Sequence, residues 1–240
     1  HMGLSDIHTL KDMANVKGVV VKSVKRDGYA VLNADNKYCV ELGKAADCKV
    51  AYFSLDENNP VIAEHCKKGG IAAIYENGYI TICKGEWKLR VVKAVNVPLT
   101  FGGRAAFMIQ NVLPAVLTGY LYGFELDDIR SALETFIPSP AQTPGRLNLF
   151  EFKNFTVMLD YAHNAAGLEA LKNFVDKIDA HPKVGIIAGI GDRRPEDNEG
   201  IGRVSAEMFD EIIIRQDKNL RGKTDVEIIA MLQKGIHSVD

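Results

Sequence analysis

The sequence predicts an α/β protein of two domains, and three observations support this prediction. The 240 residues are 47% hydrophobic and 25% charged, values typical of a globular protein. The segment IPSPAQTPG at 137–145 holds three prolines, so neither a helix nor a strand continues through it. Mixed elements precede this segment, whereas apolar strands alternate with helices after it. We therefore expect one domain at 3–139 and a second at 140–240.

The first domain is predicted to contain a mixed sheet with helices. Asn77-Gly78, between two short apolar runs, is the sequence signature of a tight hairpin. Gly69-Gly70 predicts the end of a helix. Strands are expected at 18–24, 29–33, 49–54, 71–75, 79–83 and 88–92, helices at 6–15, 60–68, 105–124 and 125–136, and a loop at 98–103.

The helix at 105–124 carries no charged residue and is about long enough to cross a bilayer. It contains Gln110, Asn111 and Pro114, which a lipid-facing helix tolerates poorly. We interpret it as a helix buried in a globular domain, so no membrane partner is predicted. On this interpretation Asn111 is a buried polar group that needs a partner.

The second domain reads as a doubly wound, Rossmann-like parallel sheet. Ligands of such sheets bind at the carboxyl ends of the strands. Strands are predicted at 147–152, 155–159, 183–190 and 211–214, and helices at 165–178, 200–208 and 225–234.

Charge and cysteine usage argue against several kinds of site. The net charge of −2 gives no electrostatic footprint for nucleic acid, so no such partner is predicted. The four cysteines are far apart and form no cluster with histidine. This spacing predicts no metal site in the chain and fits the reduced thiols of a cytoplasmic protein. His1-Met2 is interpreted as a cloning remnant, and no signal-peptide pattern follows it.

Three strands of the second domain are followed by polar clusters, at 160–164, 191–194 and 215–222. Carboxyl ends of parallel strands meet at one edge of a sheet, so the clusters can line one site. Their arginines suit a carboxylate or a phosphate. The alternative is ordinary loop chemistry, in which Asp160 is a helix cap and His163 a structural residue. No nucleophile lies beside a base, and a dinucleotide fingerprint is weakly supported.

Several segments together resemble motifs of the Mur ligase superfamily. DYAHN at 160–164 resembles its D-Y-A-H-N-P motif. TPGR at 143–146 and GDRR at 191–194 resemble the glycine–arginine and G-D-R-D elements of the C-terminal domain. VLNADN at 31–36 and GGRAAFMIQNVLPAVLTG at 102–119 resemble the N-A-D-D segment and the adenine-side N-x-x-A-A helix of the central domain. The motifs occur in the family's order, so the likeness runs through nearly the whole chain.

The resemblance implies the later part of a Mur ligase central domain followed by a Rossmann-like Mur ligase C-terminal domain. It implies an ATP-dependent amide ligase, which uses ATP and Mg²⁺ to phosphorylate a carboxylate and couples the acyl phosphate to an amine. Within the superfamily, the sequence is most similar to the branch that attaches arginine to the side chains of an aspartate polymer. This similarity is seen at residues 27–36, 97–115, 144–152 and 212–224. A homo-oligomeric parent protein is expected.

The resemblance also implies roles for single residues. The implied ATP-binding residues are Asn111, Arg146, Asp160, Tyr161 and Asn164. The implied catalytic residues are Arg146, His163 and Lys17, the last aligning with a lysine that is often carbamylated to help hold Mg²⁺. The residues expected to contact the acceptor amino acid are Asp192, Arg193, Asp217, Lys218 and Arg221. For an arginine acceptor, Asp217 would suit the guanidinium and Arg221 the α-carboxylate.

The departures from the family pattern also carry expectations. Ala165 replaces the motif's proline, and the sequence has no G-x-x-x-x-G-K-[ST] phosphate loop. We expect that the chain starts after that loop, that its C-terminal domain is cut short, and that alone it neither hydrolyses ATP nor ligates. The alternatives are another Mur or folylpolyglutamate-synthase-type ligase, or a non-catalytic nucleotide-binding module. The segment QDKNLRG at 216–222 favours the first interpretation, since a peptidoglycan ligase of this type would show D-N-P-R there.

Overall fold

A computed structural model describes residues 6–216 and 220–239, and it divides into two compact units between Pro138 and Ser139. The first unit is built on a mixed five-stranded sheet in the order β1-β2-β3-β4-β5. Strands β1 to β3 are parallel, and β3, β4 and β5 are antiparallel. The mixed sheet predicted from the sequence is confirmed. Its strands are β1 (Tyr29–Asn33), β2 (Lys49–Ser54), β3 (Ile71–Glu76), β4 (Tyr79–Lys84) and β5 (Trp87–Lys93).

Both faces of this sheet are covered by helices. Adjacent residues of one strand point to opposite faces, so Ala51 belongs to one core cluster and its neighbour Tyr52 to the other. Helices α5 and α6 pack on the first face, and α3 and α4 contact strands on the second. The helices of this unit are α1 (Leu10–Lys17), α2 (Val19–Lys22), α3 (Lys37–Lys44), α4 (Pro60–Lys67), α5 (Ala106–Tyr122) and α6 (Leu126–Thr135).

The strand predicted at 18–24 is wrong, because this segment is helical. The Lys22 N–H donates to the Gly18 carbonyl at 3.0 Å, as in an α-helix. Val19 and Val20 are exposed rather than packed in a sheet. Their β propensity is a preference for a packed, pleated surface, and this position does not offer one.

Three further elements of the first unit were not predicted, one of them the 3₁₀ turn Ala94–Asn96. Helix α3 begins after Asn36, whose side chain accepts hydrogen bonds from the backbone of Tyr38 and Cys39. Such a cap fixes a helix start that the apolar pattern alone did not reveal. The expected loop at 98–103 begins with a 3₁₀ turn, Pro98–Thr100.

The second unit contains an antiparallel pair, β6 (Asn148–Glu151) with β7 (Thr156–Leu159), and a parallel pair, β8 (Val184–Ile187) with β9 (Glu211–Ile214). The prediction of a single parallel sheet is therefore wrong, because the described strands form two separate sheets. Strand β7 takes its ladder hydrogen bonds from β6 in a local hairpin. A series of apolar runs indicates strands but does not show which neighbours they pair with.

The second unit has three helices, α7 (Ala165–Val175), α8 (Pro195–Met208) and α9 (Asp225–Ile236), and α8 packs against both α7 and α9. Helix α8 begins five residues before its predicted start, with Pro195 in its first turn. Gly202 of α8 faces the Leu232 carbonyl of α9, and Gly235 of α9 faces the Glu199 carbonyl of α8. Neither position has room for a Cβ, so the two glycines allow the helix backbones to approach closely.

No helix within residues 6–216 and 220–239 is long and apolar enough to cross a membrane. Helix α5 is the apolar segment whose length is close to that of a membrane span. It contributes Val112, Leu113, Val116 and Leu117 to the core of the first unit.

Candidate functional site

The loop before β6 is held by the buried side chain of Asn148. Its Oδ1 accepts from the Gly145 N–H at 2.8 Å, and its Nδ2 donates to the Thr143 carbonyl at 3.0 Å. Gly145 and Leu147 are both left-handed, with φ of 67° and 50°. This turn places Arg146 at an exposed corner. Asn148 was missed by the sequence reasoning, although a lone amide opening an apolar strand is a usable signal.

Asp160, directly after β7, connects this corner to the end of the strand. Its Oδ2 accepts from the Leu147 N–H at 3.0 Å, and its Oδ1 accepts from the Ala162 N–H at 2.8 Å. An ionised carboxylate has about four acceptor sites, so about two remain for a ligand hydroxyl. Asp160 is thus a structural residue of the corner that still has acceptor capacity.

Arg146, Tyr161 and His163 form one exposed cluster at the corner. The Arg146 guanidinium carbon lies 5.1 Å from the centre of the Tyr161 ring. The Tyr161 and His163 ring centres are 5.4 Å apart at an angle of 54°. Tyr161 is 62% exposed, so the cluster is open to a ligand. A guanidinium held on an aromatic face presents its N–H groups edge-on, which suits a phosphate.

Asn164 caps helix α7, since its Oδ1 accepts from the Gly167 N–H at 2.8 Å. The helix cap considered for this segment is therefore Asn164 and not Asp160. Ala165 occupies the first helical position, where proline is common but not required. The replacement of the motif's proline leaves the helix start intact.

The second cluster is fixed by a buried residue that the sequence reasoning missed, Asn198 of α8. Its side chain makes two hydrogen bonds to Ile190, accepting from the N–H at 2.9 Å and donating to the carbonyl at 3.0 Å. Arg194, the N-cap of α8, forms a salt bridge with Asp197 at 2.8 Å. Asn198 therefore holds the loop in which Asp192 and Arg193 lie.

The structure brings the second and third clusters together. Arg221 Nη1 lies 2.6 Å from Asp192 Oδ2. This hydrogen bond, the largest cause, holds the pKa of the Asp192 carboxyl below its usual value. Lys223 donates to the carbonyls of Gly191 and of Arg193, the latter at 3.0 Å. Two of the expected acceptor residues are thus in direct contact, whereas Asp217 and Lys218 lie outside the described residues.

Asn111 and Lys17 lie in the first unit. Asn111 is exposed, with Nδ2 4.0 Å from Met108 Sδ, so its expected burial is wrong. Helix α5 turns Ile109 and Val112 into the core, which leaves Asn111 outside. Lys17 ends α1 and is exposed, a position that suits a cation at a helix C-terminus.

The part of the chain that the structure describes does not gather three histidine, cysteine, aspartate or glutamate side chains into a candidate metal site. Magnesium in nucleotide sites is usually bound through one or two carboxylates together with phosphates. These residues therefore do not define a Mg²⁺ site by themselves.

Comparison with known families decides the assignment. The profile of the Mur ligase middle domain matches residues 1–119, and that of the Mur ligase glutamate ligase domain matches residues 145–240. The chain belongs to the Mur ligase family. The resemblance and fold class predicted from the sequence are thereby confirmed.

This Mur ligase chain is 45% identical over 236 residues to a cyanophycin synthetase of Geminocystis herdmanii, a match that covers 98% of the chain and 27% of the relative. A solved structure of MurF from Acinetobacter baumannii superposes with a TM-score of 0.65 at 18% identity, covering 94% of the chain and 45% of that protein. A folylpolyglutamate synthase of Mycobacterium tuberculosis, solved with ADP and AMPPCP, gives 0.64 at 16% identity, covering 94% and 48%. The chain spans about a quarter of the cyanophycin synthetase and about half of the other two proteins.

Proposed function

We propose that this chain is the part of an ATP-dependent amide ligase of the cyanophycin synthetase type that handles nucleotide and acceptor amino acid. The 45% identity over almost the whole chain supports this type of ligase. The observation that carries the proposal is the exposed corner of Arg146, Tyr161 and His163, held in place by Asp160 and Asn148. It combines a cation, two aromatic rings and a carboxylate that still has acceptor capacity, all at one exposed corner.

The proposed reaction has two steps. A side-chain carboxylate oxygen of the aspartate polymer attacks the γ-phosphorus of ATP, and the bond from that phosphorus to the β–γ bridging oxygen breaks, giving an acyl phosphate and ADP. The amine of arginine then attacks the acyl carbon, the carbon–oxygen bond to phosphate breaks, and the nitrogen loses a proton. The products are an amide, ADP and phosphate.

The corner residues fit the nucleotide part of this scheme. The Arg146 guanidinium offsets negative charge on the transferred phosphoryl group. Asp160 accepts from ribose hydroxyls with its remaining lone pairs, while Tyr161, His163 and Asn164 line the same edge. For Asn111, which lies in the first unit, the family resemblance alone supports an adenine contact. Lys17, in carbamylated form, would help to hold Mg²⁺, which would supply positive charge to offset that of the phosphates.

The Asp192–Arg221 pair fits the acceptor part of the scheme. Asp192 holds the Arg221 guanidinium at 2.6 Å, which orients its other N–H groups. We assign Arg221 to the α-carboxylate of arginine and Asp217 to its guanidinium, and we propose Arg193 and Lys218 as further contacts of the acceptor amino acid. We propose that the whole protein is a cytoplasmic homo-oligomer. The four cysteines are free thiols, which supports a reducing compartment.

A chimeric enzyme tests this proposal. The chain replaces the matching 236 residues of the Geminocystis herdmanii cyanophycin synthetase, and ATP-dependent incorporation of arginine into the polymer is measured. We expect the chimera to incorporate arginine. The Arg146→Ala chimera should lose this incorporation, and an Arg26→Ala chimera should retain it. A folded chimera that binds ATP but incorporates no arginine would refute the assignment.

A further inference from the structure

Two loops of the second unit are joined by the side chain of Lys223. Its ammonium group donates to the carbonyl of Gly191 and to that of Arg193, the latter at 3.0 Å. These carbonyls lie on either side of Asp192 in the chain, so holding both of them fixes the backbone that carries the Asp192 carboxylate. Hydrogen bonds from a charged donor are roughly twice as strong as neutral ones. We call residues 191–193 and 220–223 the paired loops.

A second cross-link between the paired loops closes a ring. Asp192 of the first loop accepts from Arg221 of the second, with 2.6 Å between Oδ2 and Nη1. The ring consists of the Asp192–Arg221 pair, the backbone from Arg221 to Lys223, and the Lys223 side chain. Groups held in this way lose freedom before a ligand arrives, so less ordering entropy is lost on binding. Removing the Lys223 ammonium would open the ring without changing the Asp192–Arg221 pair chemically.

The backbones of the paired loops also approach each other closely. Gly191 has no room for a Cβ, which would overlap the carbonyl oxygen of Leu220. The same carbonyl accepts from the Lys223 N–H at 3.1 Å, which closes a turn. Arg221 and Gly222, inside this turn, are left-handed with φ of 47° and 90°. The turn brings Lys223 back toward the first loop, so the close approach at Gly191 and the Lys223 link act on the same contact.

Each of the paired loops is anchored at one end to a helix. The buried amide of Asn198 in α8 is hydrogen-bonded to the residue that precedes the first loop. Thr224, directly after the second loop, is the N-cap of α9 and forms a capping box there. The two helices pack against each other. The helices therefore fix the ends of the loops, and Lys223 fixes the contact between them.

We propose that Lys223 is a positioning residue for the acceptor amino acid, and that it holds the Asp192–Arg221 pair in the geometry that receives the α-carboxylate. The link between the loops is argued from the contacts of this chain, and only the identity of the ligand rests on the proposed function. Lys223 is half-buried, and two main-chain carbonyls engage its ammonium group. It therefore acts through Arg221 and takes no part in the chemistry.

The kinetic test uses the chimeric enzyme described above. Lys223→Met keeps the length of the side chain and removes its donors. We expect the KM for arginine to rise about tenfold or more, while kcat and the KM for ATP stay within about twofold. Lys223→Arg keeps the charge and the donors and should recover most of this loss. The control is Lys234→Met, which removes an exposed lysine of α9 paired with Glu199 and should leave all three constants within about twofold.

Two further measurements make the test independent of a single variant and of activity. Gly191→Ala separates the loops while Lys223 stays in place, so it should also raise the KM for arginine more than the KM for ATP. ¹⁵N relaxation of the 240-residue chain reports on the link itself. We expect the amides of Asp192 and Arg193 to have order parameters of about 0.85, falling below about 0.6 in Lys223→Met.

Three outcomes would overturn the positioning role. They are an unchanged KM for arginine in Lys223→Met, an equal rise in the KM values for arginine and ATP, and unchanged order parameters at Asp192 and Arg193. Circular dichroism checks that each variant is folded. A chimera with Lys223 intact that incorporates no arginine refutes the ligase assignment, whereas the order parameters test the link alone, so the two failures give different results.

Discussion

The carboxylate of Asp160 accepts a hydrogen bond from the backbone N–H of Leu147 at 3.0 Å. Leu147 is almost fully buried and has a φ of 50°, in the left-handed region that a leucine rarely adopts. Such a conformation costs on the order of 1–3 kcal/mol and persists only where its surroundings hold it. Asp160 therefore stabilises the corner that carries Arg146 and is also a proposed nucleotide contact.

Replacing Asp160 should loosen this corner even in the absence of nucleotide. We expect Asp160→Ala to lower the free energy of unfolding of the second unit by about 1–3 kcal/mol, because two backbone N–H groups lose their acceptor. The measurement is amide hydrogen exchange at Leu147, with Asp179→Ala, an exposed carboxylate of the same unit, as control. Unchanged exchange at Leu147 in Asp160→Ala would contradict the structural role.

Two glycines of helix α8 should respond differently to the same substitution. Gly202→Ala places a Cβ against the Leu232 carbonyl of α9, so overpacking of about 1–3 kcal/mol should outweigh the roughly 1 kcal/mol gain in helix propensity. Gly200→Ala meets only the Ala165 side chain, at 3.1 Å, a contact that a shift of a few tenths of an ångström relieves, so it should destabilise the fold less than Gly202→Ala. Urea unfolding followed by circular dichroism measures both. Equal effects at the two positions would show that α8 and α9 do not pack this closely.

The stability of the first unit should depend on pH through His65. Its imidazole is half-buried, edge-on to the Tyr52 ring with centres 4.9 Å apart, and burial lowers its pKa below the ordinary value. A lowered pKa in the folded state means that the unfolded chain binds the proton more tightly. The contribution of His65 to the free energy of unfolding is therefore complete above about pH 6.5. It is lost as the pH falls through the pKa of the folded state, which lies below that value.

The urea midpoint from Trp87 fluorescence, taken at about pH 7.5 and about pH 5.5 on either side of the ordinary imidazole pKa, tests this dependence. His65→Gln should flatten the difference between the two midpoints. His8→Gln, at an exposed position of the same unit, should preserve it. An identical pH response in the wild-type chain and His65→Gln would remove His65 as its source.

Local turn chemistry was predictable from sequence, while packing context was not. The Asn77-Gly78 hairpin is confirmed, with both residues at positive φ as a tight hairpin turn requires. The valines at 19–21 carry an equally clear strand preference, yet they lie in α2. A turn is decided by the residues within it, whereas a strand needs a neighbouring strand that lies elsewhere in the sequence.

The candidate site shows the same division. The sequence predicted Arg146, Asp160, Tyr161 and His163 as one group, and the structure brings them together at one corner. It did not predict the buried amide of Asn148, whose role depends on backbone groups that only the folded loop brings together. The expected burial of Asn111 failed because α5 is apolar along almost its whole length, so its sequence does not mark the face that is exposed.

The most direct test of the central claim, that the Arg146 corner binds nucleotide, is an NMR titration of the ¹⁵N-labelled chain with Mg·ATP. We predict saturable shifts at the amides of Arg146, Tyr161 and His163, with a Kd of about 1 mM or weaker, because the sequence has no phosphate loop. These shifts should be largely lost in Arg146→Ala and retained in Arg26→Ala. Shifts that spare these three amides, or that persist unchanged in Arg146→Ala, would contradict the account.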